Sequence, residues 1–246
     1  PILIGSFFQQ LYNTVDTIIV GQAVGTSALA AVGSTGNLTS LIVNFYVGLS
    51  TGASVVIAQY YGAQNDKKIH QAVHTSYTLA IVSGILMMLF GLFFSYQCLD
   101  AIGTPHDILN DATLYMQLYF LCMIPGAIYN IGAGILRAVG DSKRPLYYLI
   151  ICSIVNVVFD FIFVVIFHQG IAGAAIATVI AQFVCAILVT IQLMRTNEVY
   201  KLTLSKMKFH LPVLKKIIMI GAPAGIQSTM YSISNIVLQS HINAFG

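Results

Sequence analysis

Three long stretches of this chain carry no charged side chain at all: Thr17 to Asn65, Ile69 to Leu99, and Phe161 to Met194. A helix crosses a bilayer with about 20 predominantly apolar residues, and each stretch has room for at least one such span. A soluble helical protein would show polar faces at helical period, and these runs have none. Only 8% of all residues are charged, against about 25% in a water-surrounded domain. The reading is an all-α, polytopic helical membrane protein.

Hydropathy and turn residues place six complete spans near 1–21, 38–61, 72–97, 112–136, 146–167 and 171–194, with a seventh starting at 217. The opening "PILIGSFFQQLYNTVDTIIVG" reads as a helix already under way, without a cleavable signal, which predicts residues upstream. One connection stands out: "TNEVYKLTLSKMKFHLPVLKK", residues 196–216, is basic with apolar residues between its lysines. Such a segment suits the membrane interface. After it, "IGAPAGIQSTMYSISNIVLQSHINAFG" repeats the cadence of the first span, "IGSFFQQLYNTVDTIIVGQAVG". The expected organisation is a six-helix lobe (1–195), a cytoplasmic basic linker (196–216) and the start of a second lobe (217–246).

All eleven Lys and Arg fall in or beside alternate connections, from Lys67 and Lys68, through Arg137, Lys143 and Arg144, to the six between Arg195 and Lys216. By the positive-inside rule these connections, and the N-terminus, face the cytoplasm. The net charge of +3 therefore reflects topology. A nucleic-acid partner would need a basic, water-facing module, and there is none. The four cysteines lack metal spacing and read as small buried hydrophobes. The glycines, Gly48, Gly52, Gly132 and Gly134 among them, read as sites of close helix packing. His74 and His241 read as packed or interfacial.

The polar groups inside the spans carry the chemistry. Asp160 lies within "IVNVVFDFIFVVIF", where an ionised carboxylate costs at least ~2.5–3.5 kcal/mol on insertion scales. The other intramembrane carboxylate is Asp16. Each lies fifteen residues beyond a proline (Pro145 and Pro1) on helices running the same way, which puts the two at similar depth. Counting back from the turn at His168 sets Thr178 level with Asp160. Ser153, Asn156 and Asp160 share a helical stripe, as do Gln9, Tyr12, Asn13 and Asp16, while Thr178 and Gln182 are one turn apart. Two carboxylates, an amide and a hydroxyl can thus converge. Such hard oxygen ligands suit Na⁺, and two nearby carboxylates can equally share a proton. Interhelical hydrogen bonding alone accounts for Thr178, Ser153 or Gln182 singly; it does not account for paired carboxylates.

Four stretches, in order and spacing, carry a family likeness: "YNTVDTIIVGQAVGTSALAAVG" (12–33), "GLSTGASVVIAQYYGAQNDKK" (48–68), "LRAVGDSKRP" (136–145) and "NVVFD" (156–160). The chain resembles the MATE (multidrug and toxic compound extrusion) transporters, in particular the bacterial branch that includes DNA-damage-inducible members. The resemblance implies a twelve-helix, two-lobe transporter in a bacterial cytoplasmic membrane, of which this chain is the N-terminal lobe with the start of helix seven. It implies a cation site at Asp16, Asn156, Asp160 and Thr178, and a substrate chamber touched by Gln9, Tyr12 and Asn130. The implied partners are cationic, amphipathic drugs or metabolites, the bilayer and the C-terminal lobe. No cofactor is implied beyond a coupling ion, Na⁺ or H⁺. Trp is absent, leaving Tyr and Phe for cation–π contacts with substrate.

The expected function is secondary active antiport and not enzymatic catalysis. A lipid-linked oligosaccharide flippase of the same superfamily would favour Arg and Lys within the cavity, and no span carries either. An intramembrane aspartyl enzyme would set each Asp in a motif such as Gly-x-Gly-Asp, whereas the contexts here are "NTVDT" and "VVFDF".

Overall fold

The computed structural model describes residues 14, 15, 18, 19, 21 and 26–245, with side chains left undescribed at 26–34, 37, 38 and 231–245. The described residues at 14–21 are helical; the rest of the expected first span lies outside the described residues. Seven helices follow: α1 (Thr26–Gly62), α2 (Asp66–Ala101), α3 (His106–Phe120), α4 (Met123–Ala138), α5 (Lys143–Asp160), α6 (Gly170–Arg195) and α7 (Leu211–Phe245). A π-helical segment, Phe161–Ile166, continues α5, and a 3₁₀ turn, Leu204–Lys206, lies in the α6–α7 connection. No strand occurs among the described residues.

Four helical stretches are long and apolar enough to cross a membrane: Thr39–Gly62, Asp66–Ala101, Lys143–Ile166 and Gly170–Arg195. A fifth is the pair α3 and α4, bent by 45° at its break. The sequence predicts one straight span over 112–136, and Pro125 explains the difference. Its ring would clash with the carbonyl four residues back, at Leu121. The helix breaks there and resumes with Gly126 N–H donating to Cys122 O at 2.7 Å.

The connections explain the hairpins. Between α1 and α2 the chain turns in three residues, with Gln64 at φ 51° and the Asn65 side chain accepting from Lys68 N–H at 3.1 Å. This is an N-cap. Asp141 likewise accepts from Arg144 N–H at 3.1 Å before α5. Two of the basic connections meet at one end of the bundle. Tyr60 records this directly: Lys68 and Lys216 place their Nζ atoms 5.5 and 5.4 Å from its ring centroid.

The core gathers Ile57, Tyr77, Ile131, Leu136, Leu193 and their neighbours. Outward, Leu86, Phe90 and Phe93 of α2 and Ile151, Ile154 and Val158 of α5 are exposed, as a lipid-facing surface requires. α7 packs most extensively on α1, through glycines on both sides. A Cβ added at Gly48 would lie 2.3 Å from Gly225 Cα, and one at Gly52 would lie 2.4 Å from Ile217 O. Two small-xxx-small motifs thus bring backbones into contact. Gly132 similarly admits Val189, and Gly134 admits Ser50 and Ser54. The packing role read for these glycines is what the structure shows.

The linker is more than an interfacial strap. Tyr200 and Leu202 are buried in the core, Leu202 N–H donates to Leu193 O at 2.8 Å, and α7 begins at Leu211.

Candidate functional site

Three of the four expected ion-site residues come together between α5 and α6. Asn156 and Asp160 are one turn apart on the buried face of α5, exposed by 1% and 0%, and Thr178 of α6 is exposed by 4%. Asn156 Nδ2 donates to Thr178 Oγ1 across a long 3.4 Å. Thr178 Oγ1–H donates to Ala174 O at 3.1 Å on its own helix. The Asn156 Oδ1 acceptor is buried and meets no donor among the described residues. A buried amide oxygen left in this state costs about 1–3 kcal/mol, which a ligand offering positive charge would recover.

The backbone changes immediately after Asp160. From Phe161 the helix widens into π geometry, with Phe167 N–H reaching back five residues to Ile162 O at 2.9 Å. π turns are rare and concentrate at functional sites. Nothing in the sequence marks this one: no Pro or Gly occurs between Leu146 and Gln169. The widened turn lies against the start of α6, where a Cβ at Gly173 would meet Phe163 Cβ at 3.0 Å. Val164 and Ala174 form a small buried cluster there with Ile19 and Ile171 partly covering it. Ile19 belongs to the first helix, so that helix reaches the wall of this site.

The sequence-based expectations divide as follows. Thr178 does reach α5, but bonds to Asn156, one turn before the predicted level of Asp160. Ser153 leaves the stripe: its hydroxyl donates to Leu149 O at 2.9 Å on its own helix, and the buried face runs Cys152, Asn156, Asp160. Cys152 and Cys185 are buried, as read, and bring their sulfurs together between α5 and α6 as a disulfide pair, which that reading did not include. Cys98 and Cys122 are free, and Cys122 is buried. Asn130 sits elsewhere, on α4. Its side-chain amide donates to Gly126 O at 2.8 Å, and its backbone carbonyl accepts from Ser50 Oγ at 2.6 Å. Asp16, Gln9 and Tyr12 lie outside the described residues.

His74, given no role by sequence, holds the linker. It is fully buried; its Nδ1–H donates to His70 O at 2.7 Å, and Nε2 accepts from Thr203 N–H at 3.1 Å. Nε2 also lies 3.1 Å from the Thr203 carbonyl oxygen. The next residue, Thr75, accepts from His210 N–H at 3.1 Å. The partners are 129 and 135 residues apart, so no local pattern could have revealed them.

Among the described residues no group of three or more His, Cys, Asp and Glu gathers to hold a metal. One carboxylate with neutral amide and hydroxyl oxygens is a hard donor set, suited to Na⁺ or a proton and unsuited to soft transition metals.

These features define a multi-pass helical membrane protein with a buried polar site between two spans. The sequence model of the MatE family matches residues 1–162, and the chain belongs to that family. Among its relatives, the probable multidrug resistance protein YoeA of Bacillus subtilis is 28% identical across 100% of this chain and 55% of its own length. A MATE crystal structure in the bent conformation superimposes with a TM-score of 0.90 at 27% identity, over 98% of this chain and 54% of the other. So does a MOP superfamily transporter from Pyrococcus furiosus, with a TM-score of 0.90 at 28% identity over 98% and 53%. That protein is described as having a binding pocket of reversed polarity that suggests a different function. The chain spans about half the length of the relatives and structures it matches.

Proposed function

We propose that this chain is the N-terminal lobe of a secondary antiporter that exports cationic, amphipathic compounds in exchange for Na⁺ or H⁺. The observation that carries the reading is the wholly buried Asp160, sharing a face with Asn156 and opening onto a π-helical turn within a span. An ionisable group buried within a span marks a functional site by default, and a coupling ion is a ligand it can take. Asp16, one turn before Ile19 in sequence, supplies the second carboxylate; the packing of Ile19 on Val164 and Ala174 supports that placement. Asn156 and Thr178 add neutral oxygens. Gln9, Tyr12 and Asn130 line the substrate chamber, and the basic end of the bundle faces the bacterial cytoplasm.

Cation occupancy of the site draws the first helix toward α5 and α6 and narrows the chamber, and loss of the cation reverses this. The relatives described as multidrug resistance or export proteins support a drug-like substrate. The Pyrococcus protein shows that this fold also carries chambers of other polarity. A flippase chamber would need cationic side chains, and all eleven Lys and Arg of this chain fall at the basic end.

The test is transport by the full-length protein in proteoliposomes, following a fluorescent cationic dye under an imposed Na⁺ or pH gradient. Dye should move against the ion gradient under at least one condition. Dye movement unaffected by either gradient, or movement only of lipid-linked sugars, would overturn the reading.

A further inference from the structure

A second polar feature lies at the basic end, away from the ion site. A cavity of about 610 Å³ opens between the first turns of α2 and the loop before α7, lined by Lys67, His70, Ser205, Lys206, Lys208 and His210 among others. No acidic side chain lines it. Among the described residues, none of its three lysines has a carboxylate within 4.0 Å; the ion pair found there joins Arg144 and Asp141, at 3.1 Å. Asp66 at the start of α2 and Glu198 in the linker are the nearest acids in sequence. Lys68, Lys201, Lys215 and Lys216 add further positive charge to this end.

The cavity is built, not a chance gap between mobile chains. Thr203 and His210, on either side of the loop, are each hydrogen-bonded to consecutive residues of α2, His74 and Thr75. The six residues between them bow away from the helix and carry Ser205, Lys206 and Lys208 over the gap. His70 stacks on the anchored His74 ring, with centroids 4.0 Å apart, which fixes it in the wall. The α2 N-terminus contributes its partial positive charge at the same place.

The rim shows what such a cluster faces. Leu204, Phe209 and Leu211 flank the loop and are exposed by 49%, 39% and 73%. Apolar side chains projecting beside lysines mark a segment at headgroup depth, with ammonium groups among phosphates and apolar groups toward the acyl chains.

We propose that this cavity binds a phosphate anion presented by an anionic phospholipid, with the lipid's acyl chains lying along Leu204, Phe209 and Leu211. Placing that lipid in the cytoplasmic leaflet rests on the orientation proposed above; the binding itself does not depend on the transport reading. Lys67, Lys206 and Lys208 supply the charge, and Ser205 and the imidazoles supply directed donors. Bound there, the lipid bridges α2 to the connection that leads into α7.

The experiment uses full-length protein in nanodiscs of phosphatidylcholine with or without phosphatidic acid. It reads phosphatidic acid retained per protein by native mass spectrometry, together with the thermal midpoint. Retention and a raised midpoint are expected with phosphatidic acid. Lys67→Gln, Lys206→Gln and Lys208→Gln, all at exposed positions, should each weaken retention about fivefold. Lys143→Gln and Lys201→Gln, outside the cavity, should not. Equal weakening by the two controls would show diffuse electrostatics and overturn the site. Inorganic phosphate or glycerol 3-phosphate raising the midpoint as effectively as the lipid would assign the cavity to a soluble anion and overturn the lipid source. No retention and no shift with any probe would overturn the proposal altogether.

Discussion

Two of the regions that hold polar side chains between spans handle them differently. Between α1 and α4, Ser50 Oγ donates to Asn130 O at 2.6 Å and Ser54 Oγ to Gly134 O at 2.9 Å. Each hydroxyl meets a backbone carbonyl of the facing helix, and Gly134 lets the helices approach closely enough to make the bonds. Between α5 and α6, one long bond joins Asn156 to Thr178, the Asn156 carbonyl oxygen lacks a donor among the described residues, and a carboxylate is buried beside a widened helical turn. The first region is a finished interhelical joint. The second leaves the Asn156 amide oxygen without a donor among the described residues, at a cost of about 1–3 kcal/mol. Between these two regions it is hydrogen-bond completeness, more than polarity, that differs.

This contrast can be broken by substitution. The larger effect belongs to Asn156→Leu in the ion site. It strips an oxygen ligand and should lower gradient-driven efflux roughly tenfold, the equivalent of a hydrogen bond to a charged group. Thermal stability should hold or rise, because a buried acceptor without a donor is removed. A fall in stability with efflux intact would place Asn156 in the glue class. Thr178→Val should follow with a several-fold loss of efflux, since its hydroxyl is a neutral ligand while the carboxylate remains. Unchanged ion dependence in Thr178→Val would remove α6 from the site. Smallest in transport are Ser50→Ala and Ser54→Ala. Each should cost ~0.6 kcal/mol of stability and leave ion-coupled efflux unaltered when protein amounts are matched. A change in coupling there would erase the distinction between the two regions.

Much of this was legible in the sequence, for physical reasons. Charge-free runs report the bilayer directly, so the spans follow. The buried face shared by Asn156 and Asp160 was legible because helical spacing fixes faces without tertiary knowledge, and the approach of Thr178 to that helix followed from the short turn at His168. The π segment after Asp160 was not legible, because no Pro or Gly announces it. The break at Leu121 was foreshadowed by Pro125, four residues on. Choosing Cys152 over Ser153 for the buried face depends on how α5 is rotated against α6, which a stripe of small residues does not specify. The packed placement of His74 was legible, but its partner was not, because that partner lies in a linker more than a hundred residues away.

The central claim is that Asp160 is retained for a charge gained and lost in each transport cycle. The most direct measurement is gradient-driven dye efflux by full-length Asp160→Asn in proteoliposomes, with protein amount and thermal midpoint matched to the wild type. Asn keeps the size and most of the hydrogen bonding of Asp while removing the titratable charge. The account predicts a folded protein whose efflux no longer responds to the imposed Na⁺ or pH gradient. Efflux near the wild-type rate, still driven by that gradient, would contradict it and leave Asp160 as a structural hydrogen-bonding residue.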